Sequence, residues 1–421
     1  MTESTKLKPE QDEKLNHLIE KIYEPNLRNL LKKCYQCARC SGVCQLSKVQ
    51  KFAPSRIIQK ILEGFEDKII ESGVLWDCLM CNSCLSNCPE DINFADIVRM
   101  AKYKMVNVAK QNPDKYTAHK GLYLTISEIM SEDFVKPKRN LDWIPEECEI
   151  AKEGNILYFV GCLPYFKFEF EHLDTIAPST LKVLCTIENE PIVVREDENC
   201  CGHDLYWGMG DLEGFVKLAK RNYELFNKSK VSTIITTCAE GYRTLKIDYP
   251  QIFEDFNEKF EIKHIIEYVF EQWKNQKITF KKPEKTTDLI PITFHDPCRL
   301  SRFLPKENNI MENVRLILKN LENLGYLFEE MEHNKGDSLC CGVSCWMNCN
   351  ERSKALRYKR LMEAKNVASK LITSCPKCEM HFTCLKDDMD EFEELDIVDF
   401  SEFIIDLIEI KEDNTKKEEK I

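Results

Sequence analysis

CYQCARCSGVC, residues 34–44, returns at residues 78–88 as CLMCNSCLSNC, with Pro89 behind it. Both copies keep the spacing C-x2-C-x2-C-x3-C of bacterial 4Fe-4S ferredoxin loops. Three closely spaced cysteines let one tight loop aim three thiolates at one face of a cubane, while the fourth reaches the neighbouring cluster. By that rule Cys34, Cys37, Cys40 and Cys88 hold one 4Fe-4S cubane, and Cys78, Cys81, Cys84 and Cys44 hold a second. The competing readings are zinc, which usually takes paired C-x2-C hooks, and disulfides, which belong to oxidising compartments. Gln45 follows Cys44 where a proline is usual, a departure in the loop rather than in the ligands.

Each motif is followed by a helical pattern. APSRIIQKILEGF (53–65) is apolar at 57, 58, 61, 62 and 65, and FADIVRMAKYKMVNV (94–108) behaves similarly. Residues 16–110 are therefore expected to form an all-α two-cluster ferredoxin-like domain. The polar ends, 1–15 and 411–421, hold too little apolar surface to offset the entropy of ordering and read as a disordered head and tail. Residues 111–154 end in WIPEECEIAKEGN and read as a linker.

Beyond it lies an internal repeat. Cys162 aligns with Cys298, Cys200-Cys201-Gly202 with Cys340-Cys341-Gly342, and Cys238 with Cys375, at offsets of 136, 140 and 137 residues. The first cysteine of each half ends an apolar run (ILYFVGC, PITFHDPC), and the third ends a β-branched one (STIITTC, KLITSC). Helical patterns such as GFVKLAKRNYELF and NVRLILKNLENLGY separate these runs, which predicts parallel strands with cysteines at their C-terminal ends. The fold class is then α+β: the helical cluster domain followed by two repeated α/β cysteine-rich units, 155–275 and 290–410. The polar stretch QKITFKKPEKTTDL joins them.

Neighbouring cysteines are poor partners for a mutual disulfide, but two adjacent thiolates can both bind a larger metal cluster, and the glycine after them permits close backbone approach. The second half offers five such ligands: Cys298, Cys340, Cys341, Cys375 and Cys378. The first half offers Cys162, Cys200, Cys201 and Cys238, with Gly241 where Cys378 has its counterpart. Four thiolates there leave a simpler cluster, zinc or no metal as alternatives.

The doubled pattern C-x(~35)-CCG-x(~35)-C-x2-C resembles the cysteine-rich CCG domain of the B-type subunit of heterodisulfide reductase. CYQCARCSGVC and WDCLMCNSCLSNCPEDI resemble the C-type subunit of that enzyme, and both parts in one chain resemble its fused D-type subunit over residues from about 30 to 405. HDPCRL, CCGHDLYWGMGD and TCAEGYRTLKIDYP strengthen the likeness. The layout is also similar to the K-type subunit of the sulfite-reductase-associated membrane complex and, more distantly, to the iron-sulfur subunit of anaerobic glycerol-3-phosphate dehydrogenase. The resemblance implies that five-cysteine CCG sites hold non-cubane 4Fe-4S clusters that reduce a disulfide directly. Carried over by position, Cys298, Cys340, Cys341, Cys375 and Cys378 become the reaction-centre ligands, with a non-cubane cluster in the second CCG unit and an uncertain metal in the first. The implied substrate is the coenzyme M–coenzyme B heterodisulfide, and the implied donor is a redox partner of cytochrome b, flavoprotein or dehydrogenase type. The rival reading is an iron-sulfur electron-transfer subunit of a membrane-linked dehydrogenase or sulfur-metabolism complex.

Composition sets the outer bounds. The chain of 421 residues carries 59 Lys and Arg against 71 Asp and Glu, a net charge of −12 that argues against nucleic acid as a partner. No run approaches the roughly 18 to 20 apolar residues of a membrane span, and the N-terminus lacks an apolar signal core. A cytoplasmic protein, peripheral at a membrane only through a partner, is the expectation. Twenty-two cysteines in such a chain point to metal or redox chemistry.

Several residues invite roles. His203 could donate a proton to a leaving thiolate, although a histidine beside a helix start is more often structural. Arg243, Arg299, Arg302 and Lys377 flank cluster cysteines and could bind an anionic coenzyme, though structural cations are commoner. His295 and Asp296 precede Cys298, where hydrogen bonding to the thiolates and simple turn formation explain them equally. Cys148, Cys185, Cys345, Cys349 and Cys384 read as small buried hydrophobes. GMGDLEG (208–214) lacks the glycine placement of a phosphate loop, so a flavin or nicotinamide would bind a partner.

Overall fold

The computed structural model describes residues 27–135, 138–166, 171–282, 289–305, 307–343 and 345–411. The expected head, and all but the first residue of the expected tail, lie outside these. The N-terminal part is helical, as the periodicity predicts. Helix Pro54–Leu62 starts on a proline at its first position and buries Ile57, Ile58 and Ile61. Helix Phe94–Asn107 is capped by Asn93, whose side chain accepts from the Asp96 N–H, and buries Phe94, Ile97, Val98, Ala101 and Met105 at helical spacing.

The two cysteine loops share a backbone device. Gln36 and Ala38 in the first loop, and Met80 and Asn82 in the second, all adopt left-handed conformations with φ between 49° and 62°. These turns between successive cysteines point their thiols toward one side of each loop.

The rest is two parallel sheets of matching topology. In the first half, β1 (Ile150–Ala151), β2 (Ile156–Tyr158), β3 (Ile192–Val193), β4 (Thr233–Thr236) and β5 (Glu261–His264) are ordered β1-β3-β2-β4-β5. After β6 (Ile278–Phe280), the second half places β7 (Ile290–Phe294), β8 (Tyr326–Phe328), β9 (Lys370–Thr373) and β10 (Asp396–Asp399) in the order β10-β9-β7-β8. In both, the cysteine-bearing first strand (β2 or β7) lies between the second and third of its repeat. Crossover helices cover both faces, which is why Leu157, Ile234, Ile235, Ile292, Leu371 and Ile372 are fully buried.

The halves meet around a pseudo-twofold axis. Helix Ile176–Ile187 packs on helix Phe400–Ile405, and helix Ile265–Lys274 on helix Ile310–Asn320, so each unit's first crossover helix meets the other's last helix. Thr180 donates to Ser401 across one contact at 2.9 Å, and Asn308 donates to Tyr242 across the other at 3.2 Å. The stretch read as a polar joint contains β6, which pairs antiparallel with β11 (Ile408–Ile410) and ties the end of the second unit to the first.

Residues 111–154 are not a free linker, and the sheet of the first unit begins before residue 155. β1 forms its edge strand against β3. Helix Leu122–Ser131 packs Tyr123 against Trp346 and Phe166, with ring centroids 4.6 and 5.8 Å apart. Short local apolar runs gave no sign of these partners, which lie far away in sequence. Among the described residues, no helix is long and apolar enough to cross a membrane.

Candidate functional site

Every CCG cysteine sits just beyond the C-terminal end of a parallel strand, where an open α/β sheet forms its ligand crevice. Cys298 opens a short helix after β7, Cys340 and Cys341 follow β8, and Cys375 caps helix Pro376–Asp387 after β9, with Cys378 one turn in. Their thiols form one continuous hydrogen-bonded string, Cys298–Cys340–Cys341–Cys378–Cys375. All five second-half cysteines are thus brought together. Hydrogen bonds from Cys340 and Cys378 pull the Cys341 thiol down to about 6. Bonds from Cys238 and Cys378, the Cys378 N–H at the helix start and nearby Lys377 hold Cys375 well below the ordinary thiol range.

The glycine of each CCG is required. Gly202 and Gly342 have φ of +82° and +90°, and a Cβ at Gly342 would stand 2.6 Å from the Ser353 carbonyl oxygen. The following helix could not pack so closely against any other residue.

In the first half, Cys162, Cys200 and Cys201 form a second string. Cys200 is held well below the usual thiol range by bonds from Cys162 and Cys201, joined by Ser127 and the Gly202 N–H. Beneath them Glu198, paired with buried Arg139, accepts from the Gly161 N–H at 2.6 Å and fixes the turn into Cys162. Cys238 lines the same cavity as Cys162, Cys200 and Cys201, and its thiol also lies against Cys375 of the other half. These two equivalent cysteines therefore meet at the pseudo-twofold axis. Glu240 and Lys377, also equivalent, pair there at 2.5 Å, and Lys377 bonds Asp204 at 2.7 Å. Glu240 and Lys377 line both the cavity beside Cys162, Cys200 and Cys201 and the one beside Cys298, Cys341 and Cys378, forming the wall between them.

Cys44 lies with Cys78, Cys81 and Cys84, close enough for mutual charge repulsion to raise its thiol after burial, and Cys40 lies with Cys34 and Cys37. The Cys78–Cys84 loop abuts the second CCG site. Gln45 accepts the Cys340 N–H at 3.0 Å, Arg302 donates to the Cys81 carbonyl at 2.6 Å, and Arg299 donates to the Met80 carbonyl at 3.0 Å.

A set of five thiols, with the His381 imidazole 3.4 Å from Cys341, suits an iron-sulfur cluster better than a four-coordinate zinc. The dicluster 4Fe-4S family matches residues 30–92, and the cysteine-rich CCG family matches 156–246 and 292–383. The D-type subunit of dihydromethanophenazine:CoB–CoM heterodisulfide reductase from Methanosarcina acetivorans is 27% identical over 79% of this chain and 76% of its own length. With a dicluster part and two CCG parts in one chain, it is similar to the fused, D-type heterodisulfide reductase subunits.

An uncharacterised iron-sulfur protein of Methanocaldococcus jannaschii is also 27% identical, over 92% of this chain and 73% of its own. The EtfAB:quinone oxidoreductase of Syntrophomonas wolfei is 25% identical over 74% of this chain and 43% of its own. With dicluster 4Fe-4S and CCG domains, the chain is an iron-sulfur redox protein.

The other singled-out residues find partners inside the protein. His203 is 1% exposed, with Nδ1 on Thr244 at 2.8 Å and Nε2 accepting from Arg299 at 3.1 Å. Burial, with Arg299, Lys377 and Arg243 around it, holds it well below the ordinary histidine range and therefore neutral. Arg243 pairs with Asp248, Arg299 and Lys377 are occupied as described, and Arg302 keeps one buried Nη2 without a hydrogen-bond partner. Asp296 binds Arg315, and His295 accepts from Arg360. Cys148 and Cys185 bond each other, and Cys345 lies beside Arg299. The GMGDLEG stretch ends a π-type turn, Asp204–Met209, and starts helix Leu212–Lys228, capped by Asp211.

Sequence reading missed Gln45, Lys102 and Ser127. Lys102 is fully buried, its ammonium 3.4 Å from the Met80 sulfur. The pairing of Glu240 with Lys377 was available as a signal: equivalent positions of opposite charge in a twofold repeat meet at the axis.

Proposed function

We propose that this protein is the iron-sulfur component that reduces a small-molecule disulfide, the coenzyme M–coenzyme B heterodisulfide, with reducing equivalents from a redox partner. The observation that carries this reading is the joining of five thiols, Cys298, Cys340, Cys341, Cys375 and Cys378, against the Cys78–Cys84 ferredoxin loop. These five hold a non-cubane 4Fe-4S cluster. Cys34, Cys37, Cys40 and Cys88 hold one cubane, and Cys44, Cys78, Cys81 and Cys84 the other. Cys162, Cys200 and Cys201, with Cys238 shared toward Cys375, form the weaker metal site. When bound, the five-thiolate cluster supplies single electrons and an iron able to take a substrate sulfur.

The chain's own residues set the geometry. Splitting a disulfide takes two electrons and two protons and yields two thiols. Arg299 and Arg302 clamp the Met80–Cys81 turn to the Cys298 helix, so the two cysteine sets keep a fixed spacing. Lys377 offsets the buried carboxylates of Asp204 and Glu240, the second pushed up to about 7 by burial, and the group stands between the two halves. The partner is a cytochrome b, a flavoprotein or a dehydrogenase. A second reading, electron transfer toward a quinone, is favoured by the likeness to the EtfAB:quinone oxidoreductase.

The test is disulfide-dependent oxidation of reduced viologen by anaerobically reconstituted protein. Cys341→Ser and Cys375→Ser are expected to abolish it while ferredoxin-type paramagnetic signals persist. Full activity in both variants would refute the assignment, and quinone reduction without disulfide reduction would favour the second reading.

A further inference from the structure

From Leu27 to Lys60 the chain carries eight Lys and Arg and no Asp or Glu, within a protein of net charge −12. All eight are exposed. Elsewhere, exposed Lys230 pairs with Glu153 and Lys259 with Asp255. Among the described residues, Lys32, Lys33, Arg39, Lys51, Arg56 and Lys60 make no ion pair. A run of unpaired like charges repels itself and gains nothing for the fold, so its energetic use lies in what it attracts.

The same face carries the outward end of the redox site. Cys37 is exposed, and Cys34 and Cys40 are half-buried, whereas the Cys78–Cys84 loop is fastened against the second CCG unit. Tyr35 is 59% and Leu30 44% exposed, giving the basic rim an apolar centre. Ser41 meets Ser55 at 2.8 Å, which joins the cysteine loop to the start of helix Pro54–Leu62. Ala38 and Ser41 of the loop line a groove of about 1250 Å³ together with Lys51, Arg56, Lys60 and Lys68. Among the described residues, Glu63 lies in the groove, Asp77 beside its Gln50, and Glu90 beside Tyr35.

We propose that this face is the docking surface for an acidic one-electron carrier protein of ferredoxin or flavodoxin type, which delivers electrons at the Cys34–Cys40 loop. The proposal rests on the reading above that these cysteines hold a cluster. In each encounter the reduced carrier loses one electron and the cluster gains it. A concave groove beside an exposed redox loop fits a protein partner; an anionic lipid surface would meet the charges but supply no electron. Complementary charge raises the association rate and makes it sensitive to salt.

The experiment follows reduction of the iron-loaded full chain by a reduced acidic 4Fe-4S ferredoxin in stopped flow. The bimolecular rate is expected to fall about tenfold between about 20 and about 300 mM salt. The triple variant Lys32→Glu/Lys33→Glu/Arg39→Glu is expected to be about tenfold slower at low salt and nearly salt-independent. Arg56→Glu/Lys60→Glu, on the helix and away from the cysteines, is expected to slow at least about threefold. Reduced riboflavin, an uncharged donor, should reduce all three proteins equally. Equal ferredoxin rates in wild type and both variants would overturn the proposal. So would phosphatidylglycerol-vesicle binding that the triple variant loses while ferredoxin kinetics stay unchanged. Disulfide turnover is not read in this assay, so its absence would sink the proposed function and leave the docking surface standing.

Discussion

Gly241→Cys should complete the weak half of the repeat. Gly241 lies in helix Ala239–Arg243, three residues after Cys238, as Cys378 lies three after Cys375. A Cβ built there would stand 3.5 Å from the Cys238 Cβ, 3.6 Å from the Thr236 hydroxyl and 4.0 Å from the Cys238 sulfur, all ordinary contacts. The side chain fits without displacing a neighbour and starts beside the Cys238 thiol. Replacing a helical glycine also removes a backbone-entropy cost of roughly 0.5–1 kcal/mol, so the variant should be no less stable than the wild type. A fifth thiolate should raise iron from about twelve atoms per chain to about sixteen, one further four-iron cluster. Iron and acid-labile sulfide are measured after anaerobic reconstitution, beside Gly241→Ala, which gains the same helix stabilisation and no thiolate. Unchanged iron in a folded Gly241→Cys protein, or sixteen irons already present in the wild type, would refute the reasoning that thiolate number limits the first site.

Gln45→Leu should leave the buried Cys340 N–H without an acceptor, costing about 1–3 kcal/mol and slowing disulfide turnover, while Gln45→Glu, which keeps the acceptor, restores much of the rate; equal rates in all three would remove Gln45 from the interface. Asp399, buried between the halves, has its carboxyl pushed up to about 8, first by burial and then by Glu402. The folded state therefore keeps a proton that the unfolded state releases near pH 4, so stability should decline between about pH 4 and about pH 8, by at most about 1.4 kcal/mol per unit. Asp399→Asn, which keeps the oxygen that accepts from Ser401 N–H, should flatten the midpoint of thermal unfolding across that window, and an unchanged slope would contradict this. Total iron of about eight atoms per chain or fewer would remove the second CCG cluster altogether.

The ferredoxin loops and the CCG repeat were legible because ligand spacing and strand-ending cysteines are local patterns that survive without tertiary information. The parallel sheets followed from β-branched runs separated by helical ones, and strands β2, β4, β7 and β9 end just before the cysteines that mark them. Contacts set by the mutual packing of units were not legible. Alignment places Cys238 in its own half, where it lines the first cavity, and packing around the pseudo-twofold axis also sets it against Cys375. Gln45 looked like a defect in a loop, and only the second unit, close to 300 residues later, supplies the N–H it accepts. Residues 111–154 read as a linker because their apolar residues are scattered, while Tyr123 and Met130 find partners from distant parts of the chain. His203 and the flanking arginines carry the chemistry of an active site in the sequence, but each is consumed by a buried partner.

The most direct test compares Cys340→Ser with Cys200→Ser in disulfide reduction, with both proteins shown to keep their ferredoxin-type signals. If the second CCG site is where the disulfide is cleaved, Cys340→Ser should lose at least about 100-fold in rate and Cys200→Ser less than about tenfold. The opposite order, a nearly inactive Cys200→Ser beside a competent Cys340→Ser, would place the reaction in the first half and contradict the assignment.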